Sequence, residues 1–159
     1  MTPILLTGAT GYIGSHTWVA LRSAGYRVIG FDNFANSSPK VLERLAALIG
    51  EAPVFEPGDV NDTARVREVL DKHGARAVIH FAAHKAVGES TQKPLEYFRN
   101  NLGGLVSVGQ AMSDAGVRAL VFSSSATVYG SPERLPITED SPLSATNPYG
   151  LTKLHGEQL

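Results

Sequence analysis

A tyrosine and a lysine in the segment NPYGLTK have the spacing of a catalytic pair. Tyr149 and Lys153 are four positions apart, and residues with this spacing share one face of a helix. A free phenol has a pKa of about 10, so bringing it to about 7 requires about 4 kcal/mol of preferential stabilisation of the phenolate. A neighbouring ammonium in a partly desolvated site supplies such stabilisation. Tyr149 is therefore a candidate general base with Lys153 as its stabilising neighbour, although this spacing alone often occurs by chance.

Three consecutive serines, Ser123 to Ser125, follow the apolar run ALVF. At the carboxyl end of a strand they would place hydroxyl groups at the rim of a crevice, where a sugar hydroxyl would meet the tyrosine. Adjacent side chains of a strand point to opposite faces, so the three serines cannot all act there.

The segment LLTGATGYIGSH places Gly8, Gly11 and Gly14 directly after the first apolar run. Glycine permits a tight turn and lets backbone N–H groups approach a pyrophosphate. The competing interpretation is a plain turn with a close helix–strand contact. The position between a strand and a helix favours a dinucleotide-binding loop.

Acidic and small residues follow the later apolar runs. Asp32 ends the second run, where a carboxylate accepts the ribose hydroxyls of an adenosine and repels a 2′-phosphate, which favours NAD over NADP. The alternative for Asp32 is a turn aspartate that caps the next segment. Asp59 is expected near the adenine. Ala82 and Ala83 leave room for a dinucleotide, and Lys85 would reach its phosphates.

An alternation of strands and helices must position these residues. Strands are predicted at Ile4–Thr7, Arg27–Phe31, Val54–Glu56, Ala77–Phe81 and Ala119–Ser123. Helices are predicted near Tyr12–Ala24, Pro39–Leu48, Thr63–His73, Pro94–Ala115 and from Pro148 onward. Short apolar strands separated by helices predict an α/β fold with a parallel sheet covered on both faces. Right-handed crossovers then give a doubly wound, Rossmann-type sheet of order 3-2-1-4-5, with its ligand crevice where strands 1 and 4 diverge.

Composition narrows the function classes. The chain has 159 residues, a formal net charge of −1 and no cysteine. The charge gives no reason to expect nucleic acid or an anionic membrane as a partner. The lack of cysteine excludes disulfides and thiol catalysis and is compatible with a cytoplasmic location. The five histidines show no ligand spacing on one helix, so no metal is expected. We expect neither a signal peptide nor a membrane span.

Several long segments of the chain match a known protein family. The chain resembles the extended short-chain dehydrogenase/reductase family, and within it the amino-terminal half of the sugar-nucleotide 4-epimerases. The matching segments are TGATGYIGSHT, DNFANSS, GDV, VIHFAAHKAVGESTQKPLEYFRNN, FSSSATVYG and NPYGLTK.

The resemblance implies a role for each matching position. Tyr149 would be the general base, Lys153 would hold the nicotinamide ribose and favour the phenolate, and Ser125 would be the active-site hydroxyl. NAD contacts are implied for the glycine loop with its neighbours, for the strand ends and for the catalytic pair: Gly8, Gly11, Tyr12, Ile13, Gly14, Asp32, Asn33, Asn36, Ser37, Asp59, Val60, Phe81, Ala82, Ala83, Lys85, Asn100, Tyr149 and Lys153. Asn100 has support from the residues themselves, because Asn100, Asn101, Gly103 and Gly104 are poor helix formers inside a predicted helix.

The implied reaction is a reversible oxidation at C4 of a UDP-hexose, which would interconvert UDP-glucose and UDP-galactose. Tyr149 would remove the proton of the 4-hydroxyl while hydride leaves C4 for bound NAD⁺, and the resulting 4-keto sugar would take hydride back on its other face. Related 4,6-dehydratases carry an acidic pair where Ala126 and Thr127 stand here, so dehydration is disfavoured.

Family members are much longer, so residues 1–159 are expected to be an incomplete NAD-binding domain without its substrate domain. We expect the fifth strand to expose an unpaired edge, this stretch alone to have little epimerase activity, and the full-length form to be a homodimer. Two other functions remain open. One is another extended short-chain enzyme, either a 4-reductase or an epimerase of a different nucleotide sugar. The other is a catalytically silent NAD-binding module or an interaction fragment.

Overall fold

The computed structural model describes every residue from Met1 to Leu159. Its five strands form one parallel sheet of order β3-β2-β1-β4-β5, so the predicted doubly wound topology is confirmed. The strands are β1 (Pro3–Thr7), β2 (Arg27–Asp32), β3 (Val54–Pro57), β4 (Ala77–His80) and β5 (Ala119–Phe122). The α-helices are α1 (Tyr12–Ser23), α2 (Lys40–Ile49), α3 (Thr63–His73), α4 (Val87–Gln92), α5 (Pro94–Tyr97), α6 (Gly103–Asp114) and α7 (Pro148–Gln158).

Strand β1 lies at the centre of the sheet because its side chains are apolar on both faces. Leu5 pairs with Ile29 of β2 and Val78 of β4, and all three side chains are fully buried. They belong to a cluster with residues of α3 and α6. Leu6 belongs to a second cluster with Trp18 of α1 and residues of α2. Burial of both faces is the reason that these strands are continuous apolar runs.

Capping residues mark where several helices begin and end. The Asp62 carboxylate accepts the Arg65 amide at 3.0 Å at the start of α3, and the Asn147 side chain accepts the Gly150 amide at 2.8 Å at the start of α7. Gly25 and Gly116 follow α1 and α6 with φ values of 83° and 69°, conformations that glycine adopts without strain.

The predicted helix Pro94–Ala115 is interrupted by a π-helical segment at Phe98–Leu102. This segment contains Asn100 and Asn101 and joins α5 to α6. Such segments are rare and often occur at functional sites. Helix α4 and a 3₁₀ turn at Ala126–Tyr129 were not predicted, because single helical turns and short polar helices carry too little periodicity to be detected.

One ionic cluster ties β3 to α3. Glu56, which is nearly buried, lies 2.7 Å from Lys72 Nζ, from His73 Nε2 and from Arg65 Nη2. Hydrogen bonds from Lys72 first, then His73 and Arg65, lower the pKa of Glu56 to about 2 although burial alone would raise it. We call these four residues the Glu56 cluster.

Strand β5 forms an edge of the sheet, and its two central side chains are open to solvent. Leu120 is 40% exposed and Val121 is 60% exposed. No helix of the structure combines the length and the apolar character that a membrane crossing requires.

Candidate active site

A cleft of about 440 Å³ opens at the carboxyl ends of the strands. Every residue that the sequence predicted as catalytic or cofactor-binding lines this cleft, together with Phe31, Ala35, Gly58, His84, Ser123 and Ser124. The structure therefore brings the predicted set together in one place, and the individual roles of its members remain predictions.

The junction of β1 and α1 has its shape because two glycines, Gly8 in the loop and Gly14 in the first turn of α1, lie against backbone atoms. Gly8 has φ 65°, and a Cβ there would lie 2.7 Å from the amide nitrogen of Ala82. A Cβ on Gly14 would overlap the carbonyl oxygen of Gly8 and would lie 3.0 Å from the Cα of Ala9. These close approaches bring the start of α1 and the loop after β4 against the end of β1.

The first turn of α1 presents unused hydrogen-bond donors to the cleft. The amides of Tyr12, Ile13 and Gly14 donate to no acceptor within the chain. Gly11, which precedes the helix, offers no capping side chain, and the first turn holds no acidic residue. Free amides and the positive end of a helix dipole together make a binding site for an anionic group.

Asp32 at the end of β2 is held by two backbone amides, one from the glycine loop and one from the loop after β2. Its two carboxylate oxygens accept the amide of Thr10 at 3.0 Å and the amide of Phe34 at 2.8 Å. Each carboxylate oxygen has a further lone pair, so the group retains capacity for two hydroxyl donors. The hydroxyl of Ser37 lies 2.6 Å from that of Thr10 and ties the loop after β2 to the glycine loop.

Asp59, after β3, is kept ionised at the same rim. Partial burial on its own would raise the pKa of Asp59, but hydrogen bonds from the backbone and side chain of Asn61 and from the side chain of Asn33 lower it overall. The Asn33 amide lies 3.1 Å from its carboxylate. Asp59 is thus a fixed acceptor.

The loop after β4 is fastened by Asn101, a buried residue of the π-helical segment that sequence reasoning did not assign to the site. Its Oδ1 accepts the amide of His84 at 2.8 Å and the side chain of Asn100 at 3.0 Å. Its Nδ2 donates to the carbonyl of His84 at 2.9 Å and to the hydroxyl of Thr152 at 3.1 Å. The poor helix formers around it were the signal, but they pointed to Asn100 alone.

The three serines after β5 make different contacts. The carbonyl of Ser123 accepts a hydrogen bond from Lys153, and the hydroxyl of Ser124 bonds to Glu157 of α7. Ser125 caps the 3₁₀ turn, and its oxygen accepts the hydroxyl of Thr127 at 2.9 Å. The proton of the Ser125 hydroxyl is therefore available for a ligand.

Lys153 is the most unusual side chain of the cleft. It is 4% exposed, and burial lowers its pKa to about 8. Its Nζ lies 2.8 Å from the Ser123 carbonyl and 6.0 Å from the centre of the Tyr149 ring. An ammonium has three donors, so two of them remain unused beside the tyrosine.

Comparisons with known proteins agree with this arrangement. The sequence profile described as the NAD dependent epimerase/dehydratase family matches residues 4–159. A UDP-glucose 4-epimerase of Bacillus subtilis is 52% identical over 98% of this chain and 46% of its own length.

Solved structures show the same similarity. A UDP-glucose 4-epimerase from Stenotrophomonas maltophila with bound NAD and formylated UDP-arabinopyranose superimposes with a TM-score of 0.97 at 46% identity, covering 99% of this chain and 47% of that one. The enzyme from Bifidobacterium longum in complex with NAD⁺ and UDP gives 0.96 at 47% identity, again covering 99% of this chain and 47% of that one. The chain spans about half the length of the relatives that it matches.

Proposed function

The chain belongs to the NAD dependent epimerase/dehydratase family, and we propose that it forms the NAD-binding part and the catalytic centre of an enzyme that epimerises C4 of a UDP-hexose. UDP-glucose and UDP-galactose are the proposed substrate pair, because relatives at about 50% identity are UDP-glucose 4-epimerases. One observation carries the proposal: the buried amine of Lys153 lies beside Tyr149 in the cleft that also holds the free amides of α1.

The residues present fit NAD. The cleft contains an anion-binding helix start at Tyr12 to Gly14, and close backbone packing at Gly8 leaves no space for a side chain there. Asp32 offers carboxylate lone pairs that suit ribose hydroxyls and would repel the 2′-phosphate of NADP. We propose that the free amides hold the pyrophosphate and Asp32 the adenosine ribose.

The chain's own side chains would divide the proton chemistry. When bound, NAD would accept a hydride from C4 of the sugar and return it. Lys153 would hold the nicotinamide ribose with its unused donors and stabilise negative charge on Tyr149 by its positive charge. Tyr149 would take the proton of the 4-hydroxyl and later give it back. Ser125 would donate a hydrogen bond to the same sugar oxygen and so orient it against the phenol.

A substitution pair tests the role of the tyrosine. Tyr149→Phe is made in a polypeptide that carries these residues together with the second half found in the relatives, and Tyr26→Phe, at a tyrosine that does not line the cleft, serves as the control. We expect Tyr149→Phe to abolish conversion of UDP-galactose to UDP-glucose, because the general base is lost. NAD binding should stay nearly intact, because the hydroxyl is only one of many implied NAD contacts. An unchanged rate of conversion would refute the tyrosine-base proposal.

Two further measurements address the open alternatives. NAD retained on the purified chain, detected by mass spectrometry, without turnover of any sugar by the longer polypeptide would favour a silent NAD-binding module. Turnover of a panel of UDP-sugars by the longer polypeptide would distinguish the proposed pair from another nucleotide sugar.

Residues 1–159 alone should show little or no epimerisation, and robust activity would contradict that expectation. A homodimeric full-length form and a cytoplasmic location are parts of the same proposal.

A further inference from the structure

Lys153 lies in the cleft without a carboxylate partner. Burial is the cause that lowers its pKa to about 8, and its one hydrogen bond within the chain goes to the Ser123 carbonyl. A buried ammonium is costly unless other groups stabilise it. The groups packed around the ammonium therefore affect how stable its charged form is.

The ring of Phe122, the last residue of β5, lies next to the ammonium. Lys153 Nζ is 4.8 Å from the centre of this ring, which is within the range of a cation–π contact. The face of an aromatic ring carries negative potential, so it attracts a cation without adding a charge to the site. This attraction is stronger where water is excluded, as it is around Lys153.

Two neighbours determine where the ring stands. Gly156, on the same helix as Lys153, leaves the ring its space, because a Cβ there would lie 2.6 Å from Phe122 Cζ. The imidazole of His80 stacks nearly parallel to the ring, with the centres 6.2 Å apart and the planes 19° apart. His80 in turn is anchored by the hydroxyl of Thr7, 2.8 Å from its Nδ1.

His80 supports the ring as a neutral group. Burial first, and then the charge of Lys153, lower the pKa of His80 to about 3. Thr7 Oγ1 also accepts the Ala82 amide, so its own proton is free to bond to the imidazole. The stack therefore places no second cation beside the ammonium at neutral pH.

We propose that Phe122 is a positioning residue whose ring holds the ammonium of Lys153 at the cleft, with His80 as its neutral support. This inference rests on the proposed function, in which Lys153 acts on the nicotinamide ribose and on Tyr149. Phe122 itself would not act on substrate or cofactor; it does not line the cleft, whereas Lys153 and Tyr149 do.

Other titratable side chains lie on α7 and on the segments that pack against it. They are Glu89, Lys93, Glu96, Tyr97, Arg99 and Tyr129 on the neighbouring segments, and Tyr149, His155 and Glu157 on α7. None of them contributes to the lowered pKa of Lys153, for which burial is the cause. A change at Phe122 is therefore expected to appear directly in the titration of this lysine.

The test replaces Phe122 in two ways. The pKa of Lys153 is measured in the 159-residue chain without NAD, from the ¹⁵N NMR signal of its side-chain nitrogen as the pH is varied. Phe122→Leu removes the aromatic face. Incorporation of 3,5-difluorophenylalanine keeps an aromatic ring of nearly the same size, because fluorine replaces hydrogen at Cε1 and Cε2, and it leaves Cζ, the ring atom nearest to the Gly156 position, unsubstituted. The fluorine atoms weaken the negative potential of the ring face. Tyrosine is unsuitable, because its hydroxyl would extend from Cζ toward Gly156. Difluorophenylalanine at Phe55, a partly buried ring of β3 that packs against the core cluster containing Leu6 and Trp18, is the matched control.

We expect the pKa of Lys153 to fall by about 0.4 to 0.7 in Phe122→Leu, a factor of about 3 to 5 in acidity, and by a smaller amount in the difluoro variant. The Phe55 control should leave it unchanged. An unchanged titration in the difluoro variant overturns the proposal, and this variant decides alone if Phe122→Leu fails to fold. NAD binding to the unsubstituted chain, measured separately by calorimetry, tests the proposed function, so the two failures are distinguishable.

Discussion

The substitution Gly14→Ala tests whether backbone packing shapes the candidate cofactor loop. A Cβ at this position would overlap the carbonyl oxygen of Gly8 and would lie 2.9 Å from its carbonyl carbon. These obstacles are backbone atoms, which cannot rotate away as a side chain does. Ordinary contacts between carbon and oxygen require a displacement on the order of 1 Å, so the start of α1 must move away from the end of β1.

The cost follows from that displacement. Overpacking of a rigid site costs about 1–3 kcal/mol, and because the obstacle is backbone we expect Gly14→Ala to reduce the free energy of unfolding by about 3 kcal/mol. The same shift moves the three free amides of α1. Loss of well-aligned hydrogen bonds to a charged group costs about 1.5–3 kcal/mol, so NAD affinity should fall at least about tenfold.

Two other glycines provide a graded control. A Cβ on Gly11 would lie 3.3 Å from the same carbonyl oxygen of Gly8, and a Cβ on Gly88 would meet nothing within 4 Å. We expect Gly11→Ala to cost less than about 1 kcal/mol and Gly88→Ala, within helix α4, to be neutral or slightly stabilising. Urea unfolding is followed by the fluorescence of Trp18, the only tryptophan, which is fully buried. NAD binding is measured by calorimetry. If Gly14→Ala unfolds and binds NAD as Gly88→Ala does, packing does not shape the loop.

Three further outcomes are expected. Gly30→Ala should cost about 3 kcal/mol because its Cβ would overlap two ring carbons of the buried Trp18, whereas Gly109→Ala, where nothing lies within 4 Å, should be neutral or stabilising; equal melting temperatures would contradict this. Because the pKa of Glu56 is lowered to about 2 in the folded state, its ionised form stabilises the fold above pH about 4.5, and this contribution is lost as the pH falls toward 2. The stability deficit of Glu56→Gln should therefore be about 2–3 kcal/mol near neutral pH and should shrink in acid, and a deficit independent of pH from 2 to 6 would refute the ionic origin. The open edge at β5 should make the chain associate at high concentration, and Val121→Lys should suppress this in sedimentation experiments; a monomeric unsubstituted chain at high concentration would contradict it.

The sheet was predictable because it depends on local patterns. Buried parallel strands are continuous apolar runs, and Leu5, Ile29 and Val78 lie in such runs. Handedness of the crossovers then leaves few strand orders. The helix caps at Asp62 and Asn147 were predictable for the same reason, since each acts within three residues of its own position.

Interactions between distant segments were not predictable in this way. Asn101 and Thr152 are far apart in the chain, and their hydrogen bond exists only because the π-helical segment packs against α7. Sequence reasoning placed three serines at one strand end, but only the folded chain assigns Ser124 to Glu157 and leaves Ser125 facing the cleft with a free proton.

The sequence by itself determined which residue types could meet at the carboxyl ends of the strands, because strand order and side-chain alternation follow from local periodicity. The tertiary structure alone decided the environment of Lys153: its burial, its single hydrogen bond and the aromatic ring beside it come from β4, β5 and α7 together. The pKa of a side chain depends on the water, charges and hydrogen-bond partners that lie within a few ångströms of it in space. Spacing along the chain does not contain that information.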